Sequence, residues 1–111
     1  MKLVPLLSAA LAAIAFCAPA AAAPDAAAAA KVTKESGCTK CHSVDKAKKG
    51  PAYQSIAAKY KGKADAEAKL IDSVTKSPKI KLADGSEDEH KAVTTKDPAQ
   101  VKNLVQWILA Q

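Results

Sequence analysis

Gly37-Cys38-Thr39-Lys40-Cys41-His42 is the stretch on which the reading of this 111-residue chain turns. Cys38 and Cys41 stand three residues apart, in a turn expected to close a helix, and His42 follows the second thiol directly. A redox pair of the thioredoxin type needs strands around it, and no segment here reads convincingly as a strand. A zinc site needs four ligands. Cys38, Cys41, His42 and His90 are the whole supply beyond the leader described next, and adjacent Cys41 and His42 make a tight chelate. A plain disulfide leaves His42 without a purpose.

The first residues have the pattern of an export leader. Lys2 supplies the positive end, Leu3 to Phe16 an apolar run, and Ala18 to Ala23 the small residues read by signal peptidase. The expected leader is 1–22, cut after Ala22, since a cut after Ala23 puts Pro24 first. The apolar run is short for a transmembrane helix. Cys17, preceded by the bulky Phe16, is lost with the leader rather than lipidated. The expected location is the periplasm. Residues 23–111 then hold only 17 large apolar side chains (six Val, four Ile, four Leu, Trp107, Tyr53 and Tyr60). A chain this short buries little surface against its ordering cost and needs a staple. The motif, the export and the thin core point to one centre. The expected roles are Cys38 and Cys41 as thioether attachment points for one covalent c-type haem and His42 as the proximal iron ligand.

Elsewhere the pattern is helical. Asp25 can cap a helix over 26–36, frayed at its start and stopped by Gly37. Tyr53, Ile56, Ala57 and Tyr60 fall at helical spacing after Pro51, and Asp65 can cap a helix in which Leu70, Ile71 and Val74 share a face. Asp97, Pro98 and Gln100 form a capping-box variant ahead of Val101, Leu104, Val105, Ile108 and Leu109, with Trp107 on the flank. Ser77 to Lys96 shows no sustained period and reads as a long loop. The expected fold class is all-α, about four helices around one haem.

With these residues in view, the chain resembles the small class I cytochromes c of bacteria. Gly37 before the haem motif, Gly50-Pro51-Ala52-Tyr53 after it, Ala58 to Gly62, the helix around Leu70 and the Trp-bearing last helix carry the likeness. The resemblance implies that the first and last helices cross closely and that a third packs on the haem. It implies that the Pro51 carbonyl accepts the Nδ1 proton of His42, and it makes Tyr53 a candidate contact of a haem propionate. One departure stands out. The family takes its sixth iron ligand from a methionine in the loop before the last helix, and the only methionine here is Met1.

His90 lies in that loop and is the expected distal ligand. Lys79, Lys81 or Lys91, or a vacant site, are the alternatives, a lysine needing desolvation and deprotonation first. A second imidazole favours ferric iron, so a lowered potential is expected. After the leader, 16 lysines face 11 acidic residues with no arginine. Export excludes nucleic acid, and the basic balance fits an acidic protein partner docking near Lys40, Lys46, Lys48 and Lys49, or lysines serving solubility alone. The chain reads as a monomeric electron carrier rather than an enzyme, with a haem protein that binds a diatomic gas as the other reading.

Overall fold

The computed structural model describes residues 22–111. The expected leader, Cys17 included, lies outside the described residues apart from Ala22. Four helices dominate. Helix α1 spans Ala26–Glu35, α2 Tyr53–Tyr60, α3 Ala66–Thr75 and α4 Pro98–Leu109. A short 3-10 turn, Cys38–Lys40, follows α1.

The caps explain the boundaries. The Asp25 carboxylate accepts from the Ala28 N–H at 3.0 Å. The start of α1 is not frayed as expected. Asn103 on α4 accepts the Asp25 N–H at 2.8 Å and donates to the Asp25 carbonyl at 2.9 Å. Gly37, at φ 72°, takes the left-handed conformation that ends the helix. Helix α2 has no side-chain cap; its first N–H groups reach instead to the carbonyls of Ser43 and Val44. At α4, Asp97 accepts from Ala99 N–H at 2.9 Å, as the sequence predicts.

Two cap expectations need correction. Asp65 does not cap α3; its carboxylate pairs with Lys69 at 2.9 Å, one turn along. Gln100 does not reach back to the Asp97 backbone. Its Oε1 accepts from Thr95 Oγ1 at 2.7 Å, and that hydroxyl oxygen accepts the Asp97 N–H at 3.2 Å, so the box closes through a relay.

The core sits where α4 meets the other three helices. Leu104 and Val105 are almost fully enclosed, with Val101 and Ile108 on the same face. Ala29 of α1 is also buried, and its small side chain lets α1 and α4 cross closely. Leu70 and Val74 from α3, Tyr53 from α2 and Val93 from the preceding segment complete the cluster.

The long loop is the main correction. Strands β1 (Lys79–Lys81) and β2 (Glu87–Glu89) pair antiparallel, with Lys79 opposite Glu89, Ile80 opposite Asp88 and Lys81 opposite Glu87. Apolar alternation is missing, so the sequence carries no strand signal. Residues of opposite charge, Lys79 with Glu89 and Lys81 with Glu87, stand opposite each other in this register, and a tight turn joins the strands. In that turn Gly85 has φ 85°, and Asp84 accepts from the Ser86 N–H at 2.9 Å and from its hydroxyl. His90 continues the ladder, its N–H donating to the Pro78 carbonyl at 2.8 Å.

Candidate functional site

The motif lies in the turn that ends α1. The Cys38 carbonyl accepts the N–H groups of both Cys41 (3.1 Å) and His42 (2.9 Å), folding the five residues tightly. Both thiols are free and partly exposed. Burial pushes the Cys38 thiol above its ordinary range, with the nearby Lys91 ammonium opposing.

His42 is fixed from several sides. Its Nδ1 lies 2.7 Å from the Pro51 carbonyl, as expected. A carbonyl can only accept, so the proton sits on Nδ1 and the Nε2 lone pair is free for a metal. Gly50 backs the ring so closely that a Cβ there would lie 2.6 Å from His42 Cε1. The Tyr53 ring stacks on the imidazole at 5.3 Å and 20°, and Trp107 meets Tyr53 edge-on at 5.3 Å.

Facing this assembly is His90. Its ring centre is 6.0 Å from that of His42, with the planes tilted by 46°. Burial, and then the neighbouring His42, hold the His90 imidazole below its usual pKa, in the neutral form that binds metals. Two buried polar atoms, Tyr53 Oη and His90 Nδ1, have no partner among the described residues. Burial pushes the Tyr53 phenol up to about 12, with Cys38 adding to the rise.

The fold therefore gathers Cys38, Cys41, His42, Pro51, Tyr53 and His90 in one place. Lys79, Lys81 and Lys91 are exposed, and the Lys91 ammonium packs at Gly37, 3.4 Å from where a Cβ would be. Lys40, Lys46, Lys48 and Lys49 are exposed along the loop beside the motif. Lys48 is not free, since its ammonium donates to the Thr39 carbonyl at 2.5 Å. Sequence reasoning missed the edge-on Tyr53–Trp107 contact, whose partners lie on different helices and carry no local signal.

The sequence profile of the family described as Cytochrome c matches residues 26–111. The chain belongs to the cytochrome c family. It is 32% identical to cytochrome c-551 of Pseudomonas aeruginosa over 82 residues, covering 70% of this chain and 71% of that one. It is 50% identical to cytochrome c-551 of Allochromatium vinosum over 52 residues. That match takes in 47% of this chain and only 55% of the relative. Among solved structures, the class 1 cytochrome MtoD of Sideroxydans lithotrophicus ES-1 superposes with a TM-score of 0.76 at 54% identity, covering 79% of this chain and 97% of that one. The helical architecture is thus the cytochrome c fold.

Cytochromes c are electron carriers, not enzymes, and their cofactor is covalent haem c. The residues present fit that group. Two partly exposed thiols adjoin an imidazole whose tautomer leaves one nitrogen free, and two buried polar atoms beside it lack partners among the described residues. Among the described residues, no helix is long and apolar enough to cross a membrane.

Proposed function

We propose that the chain is a periplasmic one-electron carrier in which Cys38 and Cys41 hold the haem, His42 binds iron on one face and His90 on the other. The observation that carries the axial pair is the 6.0 Å spacing of the two imidazole rings. Two imidazoles sharing one metal ion, each bound at about 2.0 Å, place their ring centres about 6 Å apart. The composition supports it, since no methionine follows Met1. The exposure of Lys79, Lys81 and Lys91 speaks against a lysine, which binds only when desolvated and deprotonated.

The haem, once attached, supplies a centre that alternates between ferric and ferrous iron. The protein's own residues hold its surroundings still. Pro51 keeps the proton on His42 Nδ1 and makes that ligand more basic, while Gly50 and Tyr53 stop the ring from turning. Tyr53 Oη, buried and unpartnered, is the proposed donor to a haem propionate. A second imidazole in place of a thioether stabilises ferric iron, so the potential is low for the family.

The proposed docking face is the loop after the motif. Val44 is the one exposed large apolar side chain among the described residues, and Lys46 and Lys49 flank it in an exposed run. An apolar contact beside lysines fits an acidic redox partner and a small, transient interface. Removal of residues 1–22 on export completes the proposal, and mass spectrometry of the exported protein should find Ala23 first.

Absorption and spin-state spectra of the ferric protein test the core of this reading. Low-spin iron is expected in the unmodified protein and high-spin iron after His90→Ala. A His90→Ala spectrum identical to the parent would exclude His90. Rapid, complete carbon monoxide binding by the reduced parent protein at neutral pH would favour the gas-binding reading.

A further inference from the structure

The segment that carries His90 is tied to the haem motif itself, through a serine that the electron-transfer reading does not use. Ser36 is the residue after α1, two positions before Cys38, and only 2% of it is exposed. Its hydroxyl oxygen accepts the Thr94 backbone N–H at 3.0 Å and lies 3.3 Å from Thr94 Oγ1. These contacts join parts of the chain 58 residues apart. Thr94 is four residues beyond His90, and the stretch between is short and anchored. The Val93 N–H donates to the Val74 carbonyl at 2.9 Å, and the His90 N–H to the Pro78 carbonyl at 2.8 Å.

The other moorings of this segment run to α3 and to the start of the hairpin. Among the described residues only Ser36 hydrogen-bonds it to the stretch that leads into the haem motif, with the Lys91 ammonium packed at Gly37 beside it. Removing the buried Ser36 hydroxyl takes away the protein partner of the Thr94 main-chain N–H in a part-buried contact, so the tie between the two segments is lost even where water replaces it. The main-chain hydrogen bonds that end α1 are separate. Ser36 donates its own N–H to Val32 whatever its side chain.

We propose that Ser36 is a positioning residue for the distal ligand, fixing segment 90–94 against the Cys38–His42 turn so that His90 stays at its working distance from His42. The proposal rests on His90 ligation. The Ser36 hydroxyl thereby sets how readily the distal ligand leaves, a property distinct from overall stability.

The test uses the full haem-loaded protein and three variants, Ser36→Ala, Ser36→Thr and His90→Ala. Carbon monoxide binding to the reduced form, at saturating gas, reads the rate at which the distal ligand departs. Amide exchange at Thr94 reads the tie directly. In Ser36→Ala the binding rate should rise about fivefold to tenfold, the change expected for one lost hydrogen bond, and Thr94 exchange should accelerate similarly. Ser36→Thr, which keeps the hydroxyl, should return both toward the parent. A lower denaturation midpoint in Ser36→Ala with an unchanged binding rate would overturn the proposal and leave Ser36 a packing residue. If parent and His90→Ala bind the gas equally fast, the ligation reading itself fails and the Ser36 role falls with it. The His90→Ala arm separates these two failures.

Discussion

Gly50 shows how closely one position can be specified by its neighbour. Its φ is ordinary, so the glycine serves the ring beside it rather than the backbone. The 2.6 Å approach of a Cβ to His42 leaves only bad choices, because the ring cannot shift without straining the Nδ1 contact to the Pro51 carbonyl. Gly50→Ala should cost about 1–3 kcal/mol of stability, the usual range for overpacking, read from the denaturation midpoint. It should also raise the reduction potential, because a strained Nδ1 contact makes His42 a less basic ligand. Tyr53 gives a second residue-scale expectation. Its folded pKa of about 12 lies above the ordinary value of 10, so the folded state holds the phenolic proton more tightly than the unfolded chain. Its contribution to stability is therefore full below pH 10 and is lost as pH rises toward 12. A tyrosinate absorbance titration should show a late phase that Tyr53→Phe removes.

At the scale of elements, legibility followed the origin of each signal. Helix α4 was readable because Asp97, Pro98 and the apolar spacing act within a few residues of each other. Asp65 had the same local credentials, yet it pairs with Lys69 because its backbone, at φ −95° and ψ 5°, is not in the extended form that capping uses. The hairpin was invisible for a different reason. Its register sets lysines opposite glutamates, and that juxtaposition exists only once the strands meet. The Cys38–His42 motif could be read from five adjacent residues, while the Ser36–Thr94 tie and the edge-on Tyr53–Trp107 contact depend on long-range packing. The hairpin makes its own prediction. Glu89→Lys puts two ammonium groups opposite each other, and a cross-strand pair of this kind is worth about 0.2–1 kcal/mol. The His90 amide should lose protection up to about fivefold, and added salt should restore part of it.

Taken whole, the molecule has lysine-rich surfaces around a core too small to be independent of its cofactor. Only 13 apolar residues are buried among those described, and four of them are alanine. The chain without haem should therefore unfold far below the midpoint of the loaded protein, a difference that circular dichroism melts of the two forms would reveal. Its charge sets the encounter with partners. Association with an acidic redox protein should slow steeply as ionic strength rises, and Lys46→Glu with Lys49→Glu should lower the low-salt rate about tenfold in stopped-flow measurements. A rate insensitive to salt would exclude the lysine face as the docking surface.

The Pro51 carbonyl has a consequence for heredity. The atom that sets the basicity of His42 belongs to the main chain, so no codon change that merely swaps the side chain at position 51 can delete it. On the other face, His90 depends on a hairpin of charged residues and on one serine hydroxyl, all of which a single nucleotide change can alter. With His90 as the distal ligand, substitutions in the hairpin and at Ser36 should shift the working voltage. On the His42 side the contact itself persists, and only changes that crowd the ring, such as Gly50→Ala, should do so.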